Sequence, residues 1–166
     1  MKRLIVLRHA KSSWKSGAPD DHARPLNKRG RRDAPRVAAR LAELGWTPER
    51  VISSDAKRTR QTWARMEDAL GEAAEVVFTR ELYMAGVNEV REALAALPDE
   101  VATAMVIGHN PGWEEVVAWL CGEETRMTTA NAALLVGEGE SWEEALGAPG
   151  TWELERVVRP KELDDD

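Results

Sequence analysis

Apolar residues along this chain follow two rhythms. Leu4-Ile5-Val6-Leu7, Val51-Ile52, Val76-Val77-Phe78, Thr103-Ala104-Met105-Val106-Ile107 and Ala132 to Val136 are short unbroken runs, suited to buried strands and too short for helices. Between them, apolar positions recur at helical spacing. Ala34, Val37, Ala38, Leu41 and Leu44 form one stripe, with a helix expected to start near Asp33, Pro35 in its first turn and Gly45 closing it. Trp63, Met66 and Leu70 predict a second helix, capped by Ser54 or Asp55 and ended by Gly71. Val90, Ala93, Leu94 and Leu97 predict a third, stopped by Pro98. Val116, Val117 and Leu120 predict a fourth, with Asn110 as N-cap and Pro111 as first helical residue. Thr151 to Val158 reads as an edge strand, and the acidic residues after Pro160 as a mobile tail.

Because strand and helix alternate, the expected fold class is α/β, a three-layer α/β/α sandwich built on a mostly parallel sheet. One domain is expected over residues 1–160, with 161–166 as the tail; there are no internal repeats and no long linker.

Composition narrows the class. At 166 residues, 43% hydrophobic and 31% charged, the chain can bury a core without staples. Cys121 is the only cysteine, so no internal disulfide forms and a reducing compartment fits. The apolar run after Met1-Lys2-Arg3 is too short for a signal-peptide core, and no later stretch could span a bilayer. A cytoplasmic protein is expected, monomeric and without membrane partners. Residues 1–65 carry 17 Lys and Arg against 6 Asp and Glu, and the remainder 6 against 23. A cationic half within an acidic protein favours a focused anion site over nucleic-acid binding, which needs a broad basic face. Uneven surface decoration would give the same count.

Three strand ends carry the candidate chemistry. The first strand runs into Arg8-His9-Ala10-Lys11-Ser12-Ser13, the second into Ser53 to Thr62 with Arg58 in a first helical turn, and the fourth into Gly108-His109-Asn110-Pro111. In open α/β sheets, ligands bind outside the carboxyl ends of the strands, and helix N-termini there favour phosphate. Each residue alone has a plainer reading, Arg58 as an exposed helix charge and Arg-His as an accident. Together, Arg8, Arg58, His9 and His109 make a pocket of two guanidiniums and two imidazoles, suited to a tetrahedral dianion held by arginine forks.

Arg8-His9-Ala10, Ser54-x-x-x-Arg58-x-x-Gln61-Thr62 and Gly108-His109-Asn110-Pro111 resemble the histidine phosphatase superfamily, the phosphoglycerate mutase-like fold. The run through Trp14, with Arg24-Pro25-Leu26, is similar to its short SixA-type branch of phosphohistidine phosphatases. The resemblance implies that His9 is the nucleophile, that Arg8 and Arg58 hold the phosphoryl oxygens, that His109 does so as a charged donor, and that Arg24 is an accessory anion contact. It implies no metal or other cofactor. The implied partner is a phosphohistidine protein or a small phosphorylated substrate.

Two features depart from mutase-type members of the family, which carry longer insertions over the pocket and a glutamate acid after the third strand. Here Glu81 precedes that register, where Met84 and Ala85 stand, and Asp20, Asp21 and His22 lie in a loop. All four are doubtful acids. Other readings are a zinc site from His9, His22 and His109, which lacks any close-spaced ligand pair, and a module that binds phosphate without turnover. No glycine-rich phosphate loop supports a nucleotide site. The basic run Lys28-Arg29-Gly30-Arg31-Arg32 reads as a partner-docking face or a solvated helix surface. The tryptophans read mostly as core fillers, while Trp14 stands at the pocket mouth.

Overall fold

The computed structural model describes residues 1–163. Its strands are β1 (Lys2–Arg8), β2 (Arg50–Ser54), β3 (Glu75–Thr79), β4 (Thr103–Gly108), β5 (Ala132–Gly137) and β6 (Glu153–Val158). They form one six-stranded sheet in the order β3-β2-β4-β1-β5-β6. The first four are mutually parallel, whereas β5 pairs antiparallel with β1 and β6 antiparallel with β5. This is the α/β sandwich expected. The central strands β1 and β4 are buried on both faces, which explains their continuous apolar runs.

One face of the sheet is covered by α1 (Lys28–Glu43), α2 (Lys57–Ala64) and α3 (Glu67–Leu70), around Val37, Leu41, Trp46, Trp63 and Met66. The other carries α4 (Val87–Ala95), α5 (Gly112–Cys121) and α6 (Trp142–Ala145), around Trp113, Val117, Trp142 and Trp152.

Four expectations are corrected. Helix α1 begins at Lys28, not near Asp33, because the Asn27 side chain accepts from the Gly30 N–H and caps it there. Its arginines are therefore helical, and Arg29, Arg32 and Arg36 approach the buried Asp33 carboxylate at 3.5, 3.6 and 3.4 Å. The stretch through Leu70 is two short helices rather than one, and neither Ser54 nor Asp55 caps α2; Ala56 does, without a side-chain bond. Helix α5 starts at Gly112 with Pro111 as N-cap, because the Asn110 amide turns away to donate to the Met127 carbonyl at 2.8 Å. Finally, the start of the expected mobile tail is docked: Pro160–Glu162 form a 3-10 turn, and the Leu163 carbonyl accepts from Arg36 at 2.9 Å. The last three aspartates lie outside the described residues.

Candidate active site

Register brings the two histidines together. Arg8 of β1 pairs with Gly108 of β4 in parallel, so His9 and His109 leave the sheet side by side, and the His9 N–H donates to the Gly108 carbonyl at 3.0 Å. Their rings lie 5.2 Å apart. Gly108 and Gly112 are required by close packing: a Cβ at Gly108 would fall 2.4 Å from the Trp113 ring, and one at Gly112 only 1.8 Å from the Ala85 carbonyl oxygen.

His9 is 5% exposed. Its Nδ1 lies 2.7 Å from the Ala10 carbonyl oxygen, which can only accept, so Nδ1 carries the proton. The lone pair is thereby left on Nε2, and Arg58 Nε–H points at it from 3.4 Å. Burial lowers the His9 pKa well below 6.5, and the neighbouring His109, Arg58 and Arg8 add to the effect. The imidazole is neutral at physiological pH, the state a nucleophile needs.

The Gln61-Thr62 pair has a structural job that its position in the motif does not reveal. Thr62 Oγ1 accepts from the Ala10 N–H at 3.0 Å, and Gln61 Oε1 accepts from the Leu26 N–H at 2.8 Å. Helix α2 thus grips the loop after His9 at two points. Arg58, 3% exposed, is held in that helix.

Burial, with Arg58 beside it, lowers the His109 pKa to about 3, so the side chain is neutral in the empty site. Its Nε2 lies 2.8 Å from Ser54 Oγ, whose oxygen accepts from the Ala56 N–H. Its Nδ1, like Arg8 Nε, is buried without a hydrogen-bond partner among the described residues. Arg8 spends Nη1 on the Met127 carbonyl at 3.1 Å.

Asp21 is the residue that sequence reasoning undervalued. Its carboxylate accepts from Arg58 Nη2 at 3.0 Å, from Arg24 Nε at 3.0 Å and from the Tyr83 hydroxyl at 2.5 Å, while its carbonyl accepts from Arg58 Nη1 at 2.7 Å. Against the opposing effect of partial burial, these donors hold its pKa below the usual carboxylate range. It is therefore ionised and braces Arg58. Tyr83 is pushed up correspondingly by burial and by Asp21, and it packs edge-on against His109 at 5.5 Å. The signal that could have found Asp21 is weak: one of two adjacent aspartates in a loop rich in turn residues.

The remaining acid candidates stand elsewhere. Glu81 is exposed outside the cavity, Asp20 accepts from the Ala23 N–H, and His22 pairs with Asp55 at 2.7 Å. His22 packs edge-on against Tyr83 at 4.8 Å without lining the cavity, and no three His, Cys, Asp or Glu side chains converge as a metal-ligand group among the described residues. Arg24 does line the cavity, but its Nε and Nη1 are bonded to Asp21, Ser12 and Ser13. The cavity measures about 220 Å³ and is walled by Arg8, His9, Asp21, Arg58, His109 and Asn110.

A buried neutral imidazole among guanidiniums at the carboxyl edge of a parallel sheet defines a phosphoryl-handling enzyme. Residues 4–106 match the histidine phosphatase superfamily (branch 1), and the chain belongs to that family. An uncharacterised chloroplastic protein of Arabidopsis thaliana is 44% identical over 172 residues, covering 96% of this chain and 78% of that protein. The protein histidine phosphatase SixA, solved with tungstate, is 28% identical with a TM-score of 0.83, covering 98% of this chain and 99% of that one. A mycobacterial glucosyl-3-phosphoglycerate phosphatase shares the fold at 16% identity and a TM-score of 0.71, covering 94% and 98%. The protein is thus a phosphatase of the SixA-like branch. No helix among the described residues is long and apolar enough to cross a membrane.

Proposed function

We propose that this protein is a phosphohistidine phosphatase that works through its own phosphohistidine at His9, without a metal. The observation that carries the reading is the fixed tautomer of His9, with Nδ1–H on the Ala10 carbonyl and the Nε2 lone pair facing the cavity. Nε2 attacks phosphorus as the bond to the leaving group breaks; water then attacks the phosphoenzyme, releasing phosphate and regenerating His9. Arg8 and Arg58 hold the phosphoryl oxygens, and the unpartnered Arg8 Nε and His109 Nδ1 are donors that an incoming oxygen would satisfy. Ser54 supports this by giving its proton to His109 Nε2, which leaves the His109 proton on Nδ1. Arg24 serves as accessory contact through the electrostatic field of the cavity.

The leaving group discriminates among substrates. Alkoxide departure needs a proton donor, and general acids contribute roughly a hundred- to ten-thousandfold. Asp21 is ionised, Glu81 and Asp20 do not line the cavity, and His22 is committed to Asp55, so none of them fills that role. An imidazole leaves readily once protonated, which favours phosphohistidine in a partner protein. The free thiol of Cys121 fits a reducing, cytoplasmic setting, in which the protein acts as a monomer.

The decisive test is rapid quenching of turnover with labelled phosphohistidine protein. An acid-labile, base-stable label should appear and vanish in His9→Ala together with activity; substantial turnover by that variant overturns the mechanism. On one wild-type preparation, kcat/KM for phosphohistidine and aryl phosphates should exceed that for phosphoserine peptide by at least about a hundredfold.

A further inference from the structure

Few large apolar side chains are exposed among the described residues, and two of them, Trp14 at 75% and Met84 at 57%, line the same small cavity as His9. They come from different loops, one following β1 and the other preceding α4. Neither is a loose surface residue. One face of the Trp14 indole is covered by the Arg24 guanidinium at 3.6 Å, and Arg24 is fixed in turn by Asp21, Ser12 and Ser13. Trp14 is therefore presented on a rigid platform with its other face open. Met84 sits at φ 55°, one of only two non-glycine residues with positive φ among the described residues. A side chain adopts such a backbone only under strain that glycine would spare, and strain of this kind clusters where a ligand is gripped.

We propose that Trp14 and Met84 form an apolar clamp that binds the flat ring of the leaving group while the phosphoryl group occupies the arginine pocket. The clamp deepens, and its substrate rests on, the phosphohistidine reading. At about 220 Å³ the cavity is smaller than the roughly 300–1,000 Å³ of drug-sized ligand sites, and it suits a phosphoryl group bearing a single ring. Indole stacks on an imidazole or phenyl ring, and the methionine thioether packs against ring edges. The job of Arg24 is then to hold the indole as well as to add positive charge.

Calorimetry with methylphosphonate and phenylphosphonate, which cannot be hydrolysed, separates ring from phosphoryl recognition. The wild type should prefer phenylphosphonate by about tenfold, the scale of one aromatic stacking contact. Trp14→Ala should bring that preference close to one, Trp14→Phe should keep most of it, and Met84→Gly, which relieves the backbone, should lose part of it while folding normally. Equal affinities in the wild type, or a preference untouched by both Trp14→Ala and Met84→Gly, overturn the clamp. A ring preference in a protein that does not turn over phosphohistidine would uphold the clamp and overturn the substrate reading. Failure of both phosphonates to bind would overturn both.

Discussion

Two carboxylates in this molecule are surrounded by arginines, and they do different work. Asp33 sits in α1, 2% exposed, among Arg29, Arg32 and Arg36, in the densest run of positive charge in the sequence. Asp21 lies in a loop, half exposed, and gathers Arg24, Arg58 and Tyr83, which are far apart in the chain. Contacts to Asp33 are local, within four residues along one helix, and through Arg36 they pin the Leu163 carbonyl. Contacts to Asp21 span up to 62 positions and converge on a cavity with two histidines. Density of charge in sequence thus marks a structural cluster here, whereas chemistry gathers where isolated arginines meet at strand ends.

The sharpest way to break this contrast is to exchange arginines in each cluster. Arg58→Ala should lower kcat/KM by about a hundred- to thousandfold, as for other preorganised donors to a developing anion. Arg58→Lys keeps charge but not the fork and should lose at least about tenfold, both with little change in Tm. Arg32→Lys, beside Asp33, should leave kcat/KM within about twofold, as an exposed pair is worth little. Wild-type activity in Arg58→Lys would return Arg58 to the class of surface charges.

Acid should separate the histidine pocket from the rest of the fold. His9 and His109 have folded pKa values below the 6.5 of a free imidazole, so below that pH the unfolded chain binds more protons. Their stabilising contribution is complete above about pH 6.5 and declines as pH falls, for His109 by about 2 kcal/mol at pH 5. Denaturant titrations at pH 7 and 5 should show this loss, and His109→Gln should flatten it. A wild-type stability constant over that range would place both rings in water.

Smaller effects refine the comparison. Asp33→Ala leaves its arginines without their buried acceptor and should cost about 1–3 kcal/mol, or roughly 2–10 °C in Tm, with kcat/KM barely moved. Asp21→Asn keeps the shape but weakens the brace on Arg58. It should reduce turnover of phosphohistidine and phosphoserine by the same factor, up to about tenfold. Selective loss of the phosphoserine reaction would instead make Asp21 an acid.

Much of the site was legible because its parts sit at pattern boundaries. Arg8 and His9 follow a four-residue apolar run, His109 follows another, and Arg58 opens a helix after a third, so hydrophobic rhythm and motif spacing together pick them out. The same local logic yielded the parallel core and the edge position of β6. It misplaced the start of α1, because the Asn27 cap outweighs the proline that suggested a later boundary.

What the sequence by itself determined, then, is which side chains stand at the carboxyl edge of the sheet, since strand identity depends on local burial pattern. Only the tertiary structure decided their states. The tautomer of His9 depends on where the Ala10 carbonyl turns, the neutrality of His109 on burial beside Arg58, and the roles of Asp21 and Arg24 on loops meeting across the pocket. Proton positions and charge are set by distance and desolvation, which a linear pattern of residue types does not encode.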